Sequence, residues 1–353
     1  MKQPCFYIAK GNHGATYILN SKNWKSIRYS LNFYNATSIK AKLLKPALHV
    51  YLFIRGQLFA NTLKNATVIN SYLQNKSKTY TCFNINNNCS VLVAPTQDKI
   101  IVHHHHHQYF QKFAFRNSYS KVKKEARIYA LFKSPLIHFQ VSKYYDALDQ
   151  NHEIISFKLS NENIDTQEAK LRTDNLVTLL TEFFKTVPQK KSTIKTYVGN
   201  LKKELQKLPT KVIKNQLQIL DDLQATSEAS EFPLGLVHRD FKPWNIIHFN
   251  KPLIFDFEEA LVDGLPLEDL LNYYIDPIVR FKKTKNVVSL ALNSDQLKQY
   301  RVYLKKLNIS IDFIVFLHFY LMERILFFSR ANQIDISDKY LDLSNYLIEN
   351  NWK

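Results

Sequence analysis

Residues 234–257 read L-G-L-V-H-R-D-F-K-P-W-N-I-I-H-F-N-K-P-L-I-F-D-F, and their reading governs the rest of the chain. An apolar entry, Leu234 to Val237, leads into His238-Arg239-Asp240, and Asn245 follows the aspartate by five residues. A strand-like run, a turn at Asn250-Lys251-Pro252 and a second apolar run end at Asp256. The short hairpin brings Asp256 back beside Asn245, so both side chains face one point. Phosphoryl transfer calls for this set of groups: one carboxylate orients the attacking hydroxyl and accepts its proton, while an amide oxygen and a second carboxylate hold Mg²⁺ against the nucleotide phosphates. Mg²⁺ favours few protein oxygens supplemented by phosphate oxygens, which suits such a pair.

The pattern H-x-D-x-x-x-x-N, with an aspartate sixteen residues after the first and a strand-turn-strand between, resembles the catalytic core of the protein-kinase-like superfamily, in its aminoglycoside and choline phosphotransferase branch. The resemblance implies an α+β, two-lobed protein-kinase-like fold, with a small antiparallel-sheet N-lobe and a helical C-lobe. It makes Asp240 the catalytic base and places Lys242 where many kinases put a cation on the transferring phosphate. Asn245 and Asp256 become the Mg²⁺ ligands, and His238 a packed scaffold residue. Upstream, the strand Tyr109–Phe115 carries Lys112, which resembles the small-lobe lysine on the ATP phosphates. Glu125, thirteen residues on, falls where its ion-pair partner belongs, although Lys123, Lys124 and Arg127 leave the register open by a turn. ATP and Mg²⁺ are the cofactors implied.

Two features favour the small-molecule branch over a protein kinase. Asp256 is followed by Phe257-Glu258-Glu259 with no glycine, and thirteen residues separate it from Asp269, too few for a peptide-docking loop. The run Gly264-Leu265-Pro266-Leu267-Glu268-Asp269-Leu270 resembles the helix start of that branch, with Asp269 tying down the catalytic loop. A helical insert over about 165–226 matches its acceptor site and presents Lys195, Lys202, Lys203 and Lys207 on one helix face. The departures are Arg239, where the branch has a small residue, and the absence of any glycine between Gly56 and Gly199. Asn86-Asn87-Asn88 is the expected hairpin in place of a glycine-rich phosphate loop, since Asn tolerates left-handed backbone. Gly11 and Gly14 read as an ordinary turn. His103 to His107 would alternate faces on a strand, so a solvated tract without metal is expected.

The 353 residues are 45% hydrophobic and 22% charged, which excludes a disordered polyelectrolyte and a small disulfide scaffold and allows one large core or two modest ones. Net charge is +18, from 48 Lys and Arg against 30 Asp and Glu. No acidic residue precedes Asp98, while twelve Lys and Arg do. That asymmetry marks residues 1–78 as a basic N-terminal element, either facing phosphates, lipid head groups or nucleic acid or merely solvated. Within it, about Asn35 to Leu63 reads as a basic, apolar-rich helix interrupted at Pro46. It would either lie on a membrane surface or pack on a domain. Cys5, Cys82 and Cys89 are few and scattered, as in a reducing compartment. The longest apolar runs, Pro46–Ile54 and Phe313–Met322, fall short of the roughly 18 residues that span a bilayer. A cytoplasmic protein is expected, at most peripheral at the inner face of the membrane.

Residues 79–160 alternate as strands, at Tyr80–Ile85, Ser90–Ala94, Lys99–His103, Tyr109–Phe115, Phe139–Tyr145 and Glu153–Leu159, around one helix at Ser120–Lys133. Residues 161–353 turn helical and hold the catalytic loop, 238–256. The expected function is an ATP-dependent phosphotransferase acting on a hydroxyl of a small-molecule, sugar or glycan-type acceptor, anionic in character. No nucleic-acid partner is expected. Two alternatives stay open: a choline- or ethanolamine-type kinase, which the lysine-rich insert disfavours, and a catalytically inactive kinase fold serving as a binding protein.

Overall fold

The computed structural model describes residues 5–10, 15–31, 39–58, 63–77, 85, 88–94, 98–105, 109–115, 118–133, 136–150, 154–161, 164–165, 167, 173–208, 210–227, 230–281, 284–350 and 352. The chain forms two compact units, one of residues 1–130 and 141–165, the other of residues 131–140 and 166–353.

The first unit opens with β1 (Phe6–Lys10) and β2 (Thr16–Asn20), then α1 (Trp24–Ser30), α2 (Ile39–Leu58) and α3 (Ala66–Ser77). Next come β3 (Cys89–Ala94), β4 (Lys99–His104), β5 (Tyr109–Phe115) and α4 (Tyr119–Tyr129). A two-residue β6 (Gln140–Val141) precedes β7 (Lys143–Gln150) and β8 (Ile154–Ser160). Seven strands form one sheet in the order β1-β2-β3-β4-β5-β8-β7, every neighbour antiparallel. Alternate residues, Val91 and Val93 on β3, Ile100 and Val102 on β4, Phe113 and Phe115 on β5, bury one face against Ile69 and Leu73 of α3. The basic first 78 residues are thus joined to the lobe that charge and composition set apart from them, because β2 pairs with β3 at Thr16↔Val93 to Ile18↔Val91.

Several local expectations change. α2 is a single helix through Pro46 rather than an interrupted one. Pro46 lies on its exposed face, where water can take the carbonyl hydrogen bond that proline forfeits. Of the hairpin expected at Asn86–Asn88, residues 86 and 87 lie outside the described residues, and the Asn88 carbonyl accepts from the His105 N–H at 2.8 Å. Asp98, just before β4, takes φ 45°, a left-handed conformation that Asp tolerates. Of the histidine tract, His103, His104 and His105 are described, and two of them are not solvated as expected. His103 and His105 are buried, His103 Nδ1 donating to the Tyr29 carbonyl at 3.2 Å and His105 Nε2 bonded to Ser90 Oγ. The strand expected at Tyr80–Ile85 lies outside the described residues except Ile85, which is buried in the sheet core.

In the second unit, α5 (Thr173–Phe184), β9 (Lys190–Thr193), α6 (Ile194–Leu205) and α7 (Thr210–Ser227) come first. They are followed by β10 (Glu231–Val237), β11 (Ile246–Ile247), β12 (Leu253–Ile254) and β13 (Leu261–Gly264). The remainder is helical: α8 (Glu268–Phe281), α9 (Thr284–Ala291), α10 (Ser294–Lys306), α11 (Phe313–Arg330) and α12 (Ile334–Glu349). The strands make one small sheet, β13-β10-β9, and an antiparallel pair, β11 with β12. α11 is buried on every side, as its all-round apolar sequence requires, and it carries Arg324 and His318 inward with it. Gly264 is fixed by close approach, since a Cβ there would meet Val237 Cγ2 at 1.9 Å.

Candidate active site

The catalytic loop begins where β10 ends. Val237 is the last strand residue, and the next peptide units are held by the start of α8. Asp269 accepts the His238 N–H at 2.7 Å on Oδ2 and the Arg239 N–H at 2.9 Å on Oδ1. Burial raises the Asp269 carboxyl to about 8, against the pull of those two donors. Both of these hydrogen bonds come from backbone N–H groups of the loop. One turn on, Asn272 Nδ2 donates to the Arg239 carbonyl at 2.9 Å, and Arg324 Nη1 donates to the same oxygen at 3.1 Å. These contacts fix Arg239 at φ 63°, the bend that turns the chain toward Asp240.

His238 is fully buried and sits between the two halves of the loop. Its Nε2 donates to the Phe255 carbonyl at 2.9 Å, and its Nδ1 accepts the Asp240 N–H at 3.3 Å. Both bonds suit a neutral ring protonated on Nε2, and burial lowers the pKa in the same sense. Antiparallel pairing of Ile246 with Ile254 then places Asn245 across from Phe255, one residue before Asp256. Asp256 takes φ 71°, a left-handed conformation that Asp tolerates better than most residues.

Around Asp240 the side chains close up. Lys242 Nζ bonds Asp240 Oδ1, and Asn245 Nδ2 donates to Asp240 Oδ2 at 2.7 Å and to its carbonyl at 2.8 Å. Lys242 is also paired with Asp276 at 3.3 Å. Asp276, one more turn along α8, is wholly buried and accepts from Arg280 at 2.5 Å, Arg324 at 3.4 Å and the Tyr340 hydroxyl at 2.7 Å. Burial works to raise the Asp276 pKa, but Lys242, Arg324 and Arg280 outweigh it and hold the carboxyl below its ordinary value.

Arg239 is the departure from the branch pattern, and its side chain is neutralised within the unit. It pairs with Glu268 at 2.8 Å and Glu323 at 3.2 Å, and Glu323 also accepts from the Tyr197 hydroxyl at 2.9 Å. Asn272, Asp276, Arg324 and Glu323 were not singled out by sequence. The signal was there for three α8 residues: positions 269, 272 and 276 share one helix face at i, i+3 and i+7. Arg324 and Glu323 carry no such signal, because α11 reaches the loop only through the tertiary fold.

In the first unit, Lys112 and Glu125 form an ion pair at 2.7 Å, with side-chain exposures of 11% and 0%. Lys112 lies mid-strand, opposite Ile101 of β4 and Phe157 of β8. Glu125 belongs to the buried stripe of α4 with Val122, Ala126 and Tyr129, and that stripe resolves the register in its favour. The lysine face of the insert is less open than its sequence suggests. Lys202 bonds Asp221 and Gln224 of α7, and Lys207 bonds Glu204 at 2.7 Å.

The antiparallel sheet of the first unit and the helical second unit make an α+β fold of the protein-kinase-like kind. Residues 188–282, from before β9 to the end of α8, match the model of the phosphotransferase enzyme family. Among solved structures, an aminoglycoside phosphotransferase APH(4)-Ia variant in ternary complex with AMP-PNP and hygromycin B is similar, with 12% identity and a TM-score of 0.50 over 81% of this chain and 99% of that one. A putative aminoglycoside phosphotransferase from Ralstonia eutropha gives 9% identity and a TM-score of 0.46, over 80% and 98% of the two chains. No curated protein sequence matches the chain.

Proposed function

We propose that the protein is an ATP- and Mg²⁺-dependent phosphotransferase acting on a hydroxyl of a small-molecule acceptor, of sugar or glycan type. The observation that carries the proposal is the set of contacts on Asp240, whose two carboxylate oxygens are held by Lys242 and Asn245. A carboxylate so fixed can orient an acceptor hydroxyl and take its proton. Lys242, beside it, would neutralise charge on the transferring phosphate. Lys112, oriented by Glu125, would hold the nucleotide phosphates.

The donor set suits Mg²⁺. Asn245 directs its amide nitrogen to Asp240, which leaves the amide oxygen as a ligand, and Asp256 adds a carboxylate. Oxygen donors with neither Cys nor His favour a hard cation. When bound, the metal would draw charge from the phosphates, while Asp240 manages the proton and Lys242 the developing negative charge. The similar APH(4)-Ia structure contains AMP-PNP and hygromycin B, which supports a nucleotide donor and a sugar-type acceptor here.

A net charge of +18 favours an anionic acceptor, although Lys202 and Lys207 do not contribute, being paired with Asp221 and Glu204. The test is Asp240→Asn, assayed for phosphate transfer from ATP across sugars, amino-alcohols and glycans. Loss of general-base assistance should lower turnover by about 10²–10⁴-fold with the fold intact. Turnover near the wild-type rate, or failure of the parent protein to bind Mg·ATP by calorimetry, would overturn the assignment.

A further inference from the structure

α2 of the first unit carries an outward face that nothing in phosphoryl transfer requires. Val50, Tyr51, Ile54 and Leu58 are 46%, 44%, 46% and 71% exposed. At about 100° per residue these positions fall within a single ~100° arc, with Ala47 inside it. The opposite side of the helix is committed to the unit. Leu52 is buried with Leu19, Ile27 and Leu31, and Gly56 approaches Ser21 so closely that a Cβ would meet its carbonyl at 2.5 Å. The helix is therefore held with its apolar stripe outward.

α1 extends the surface. Trp24, half exposed, stacks on His49 of α2 at 3.8 Å and meets Phe53 edge-on at 5.4 Å. Lys22, Lys25 and Arg28 are exposed around it, and Arg55 lies against Tyr51 with its Nη1 donating to the hydroxyl at 2.6 Å. Neither helix contains an Asp or Glu, and none occurs anywhere before Asp98.

We propose that this face of α1 and α2 docks on an anionic lipid bilayer, with Val50, Tyr51, Ile54, Leu58 and Trp24 entering the head-group boundary and Lys22, Lys25, Arg28 and Arg55 meeting lipid phosphates. An apolar stripe edged by cations and an aromatic is the chemistry of an in-plane interfacial helix. Charge decides against a second copy of the chain. A self-complementary interface would set cations against cations with no carboxylate on either helix to offset them. No described helix is long and apolar enough to cross a membrane, so the contact is in-plane. The proposal does not depend on the kinase activity.

Co-sedimentation of the full-length protein with vesicles tests it, using phosphatidylcholine alone and phosphatidylcholine with about one third phosphatidylglycerol. The wild type should bind the anionic vesicles and leave the neutral ones in solution, and added salt should weaken binding. Ile54→Asp with Leu58→Asp should reduce binding about tenfold or more, as should Lys25→Glu with Arg28→Glu, each with an unchanged thermal melt. Ile54→Ser with Leu58→Ser replaces the aspartate pair if that pair disturbs folding. Equal binding to both vesicle types, binding to neither, or a dimer in light scattering that the Ile54 and Leu58 substitutions dissociate would overturn the proposal. So would preferential capture of RNA or an acidic protein with loss of vesicle binding.

Discussion

Asp276→Ala should destabilise the second unit more than any other single substitution near the catalytic loop. The size of the effect follows from who is left behind. Lys242 keeps Asp240 as a partner, and Arg280 is 25% exposed and can turn to water. Arg324 has neither recourse: its side chain is 1% exposed, Asp276 is its ion-pair partner, and the Arg239 carbonyl is its other acceptor. Losing one member of a buried pair leaves an uncompensated charge, a cost of about 3–5 kcal/mol. The Tyr340 hydroxyl loses its 2.7 Å acceptor as well, about 1 kcal/mol more. That is a large share of the roughly 5–15 kcal/mol by which a native protein is stable. Urea denaturation, followed by circular dichroism and tryptophan fluorescence, measures the loss. Asp276→Leu combined with Arg324→Met should lose less than either substitution alone, because an apolar pair removes the stranded charge. A loss under about 1 kcal/mol, the worth of an exposed pair, would refute the reasoning.

Acid should weaken the first unit. Burial, with opposing help from the Tyr29 carbonyl, lowers the His103 pKa to about 4; burial and its neighbours His103 and His104 lower that of His105 to about 3. The unfolded chain then binds more protons than the folded one from the ordinary value of 6.5 downward. Stability is full above pH 6.5 and falls by up to about 1.4 kcal/mol per pH unit for each ring as pH drops toward 4. Urea midpoints at a series of pH values should show that slope, and His105→Gln should flatten it. Separately, Lys112→Met should destabilise the first unit by taking the cation from beside the wholly buried Glu125, whereas Glu125→Gln should be milder. Paired thermal melts would separate the two, and calorimetric titration with Mg·ATP should show weakened binding in both.

How much of this was legible in the chain depended on how local the cause was. His238, Asp240, Asn245 and Asp256 sit within one loop and one hairpin, so their nearness was legible in their spacing, whereas the pairing of Lys112 with Glu125 was implied only by the family resemblance, with the register open by a turn. The seven-stranded sheet was not legible as one sheet, because β2, ending at Asn20, meets β3, starting at Cys89, and no periodicity reports a pairing that remote. The histidine tract misled for a related reason. Alternation on β4 was foreseen, but α1, which covers His103 and His105 with Tyr29 and Ser30, is only seven residues long and left no pattern. The lysines of α6 read as a cationic face until α7 brought Asp221 against Lys202.

The pairing of β2 with β3 also determines what can be cut away. β3 is an interior strand only because the hairpin of β1 and β2 lies along it. Remove that hairpin, and Cys89 to Ala94, apolar and uncharged, becomes an open edge with unpaired backbone groups, the usual starting point for edge-to-edge aggregation. During synthesis the hairpin leaves the ribosome well before its partner strand and must wait for it, so the sheet closes late and over a long loop. The acid-free beginning of the chain is therefore not a removable tail. Shortening the protein to its phosphotransferase-like part would trade solubility for size.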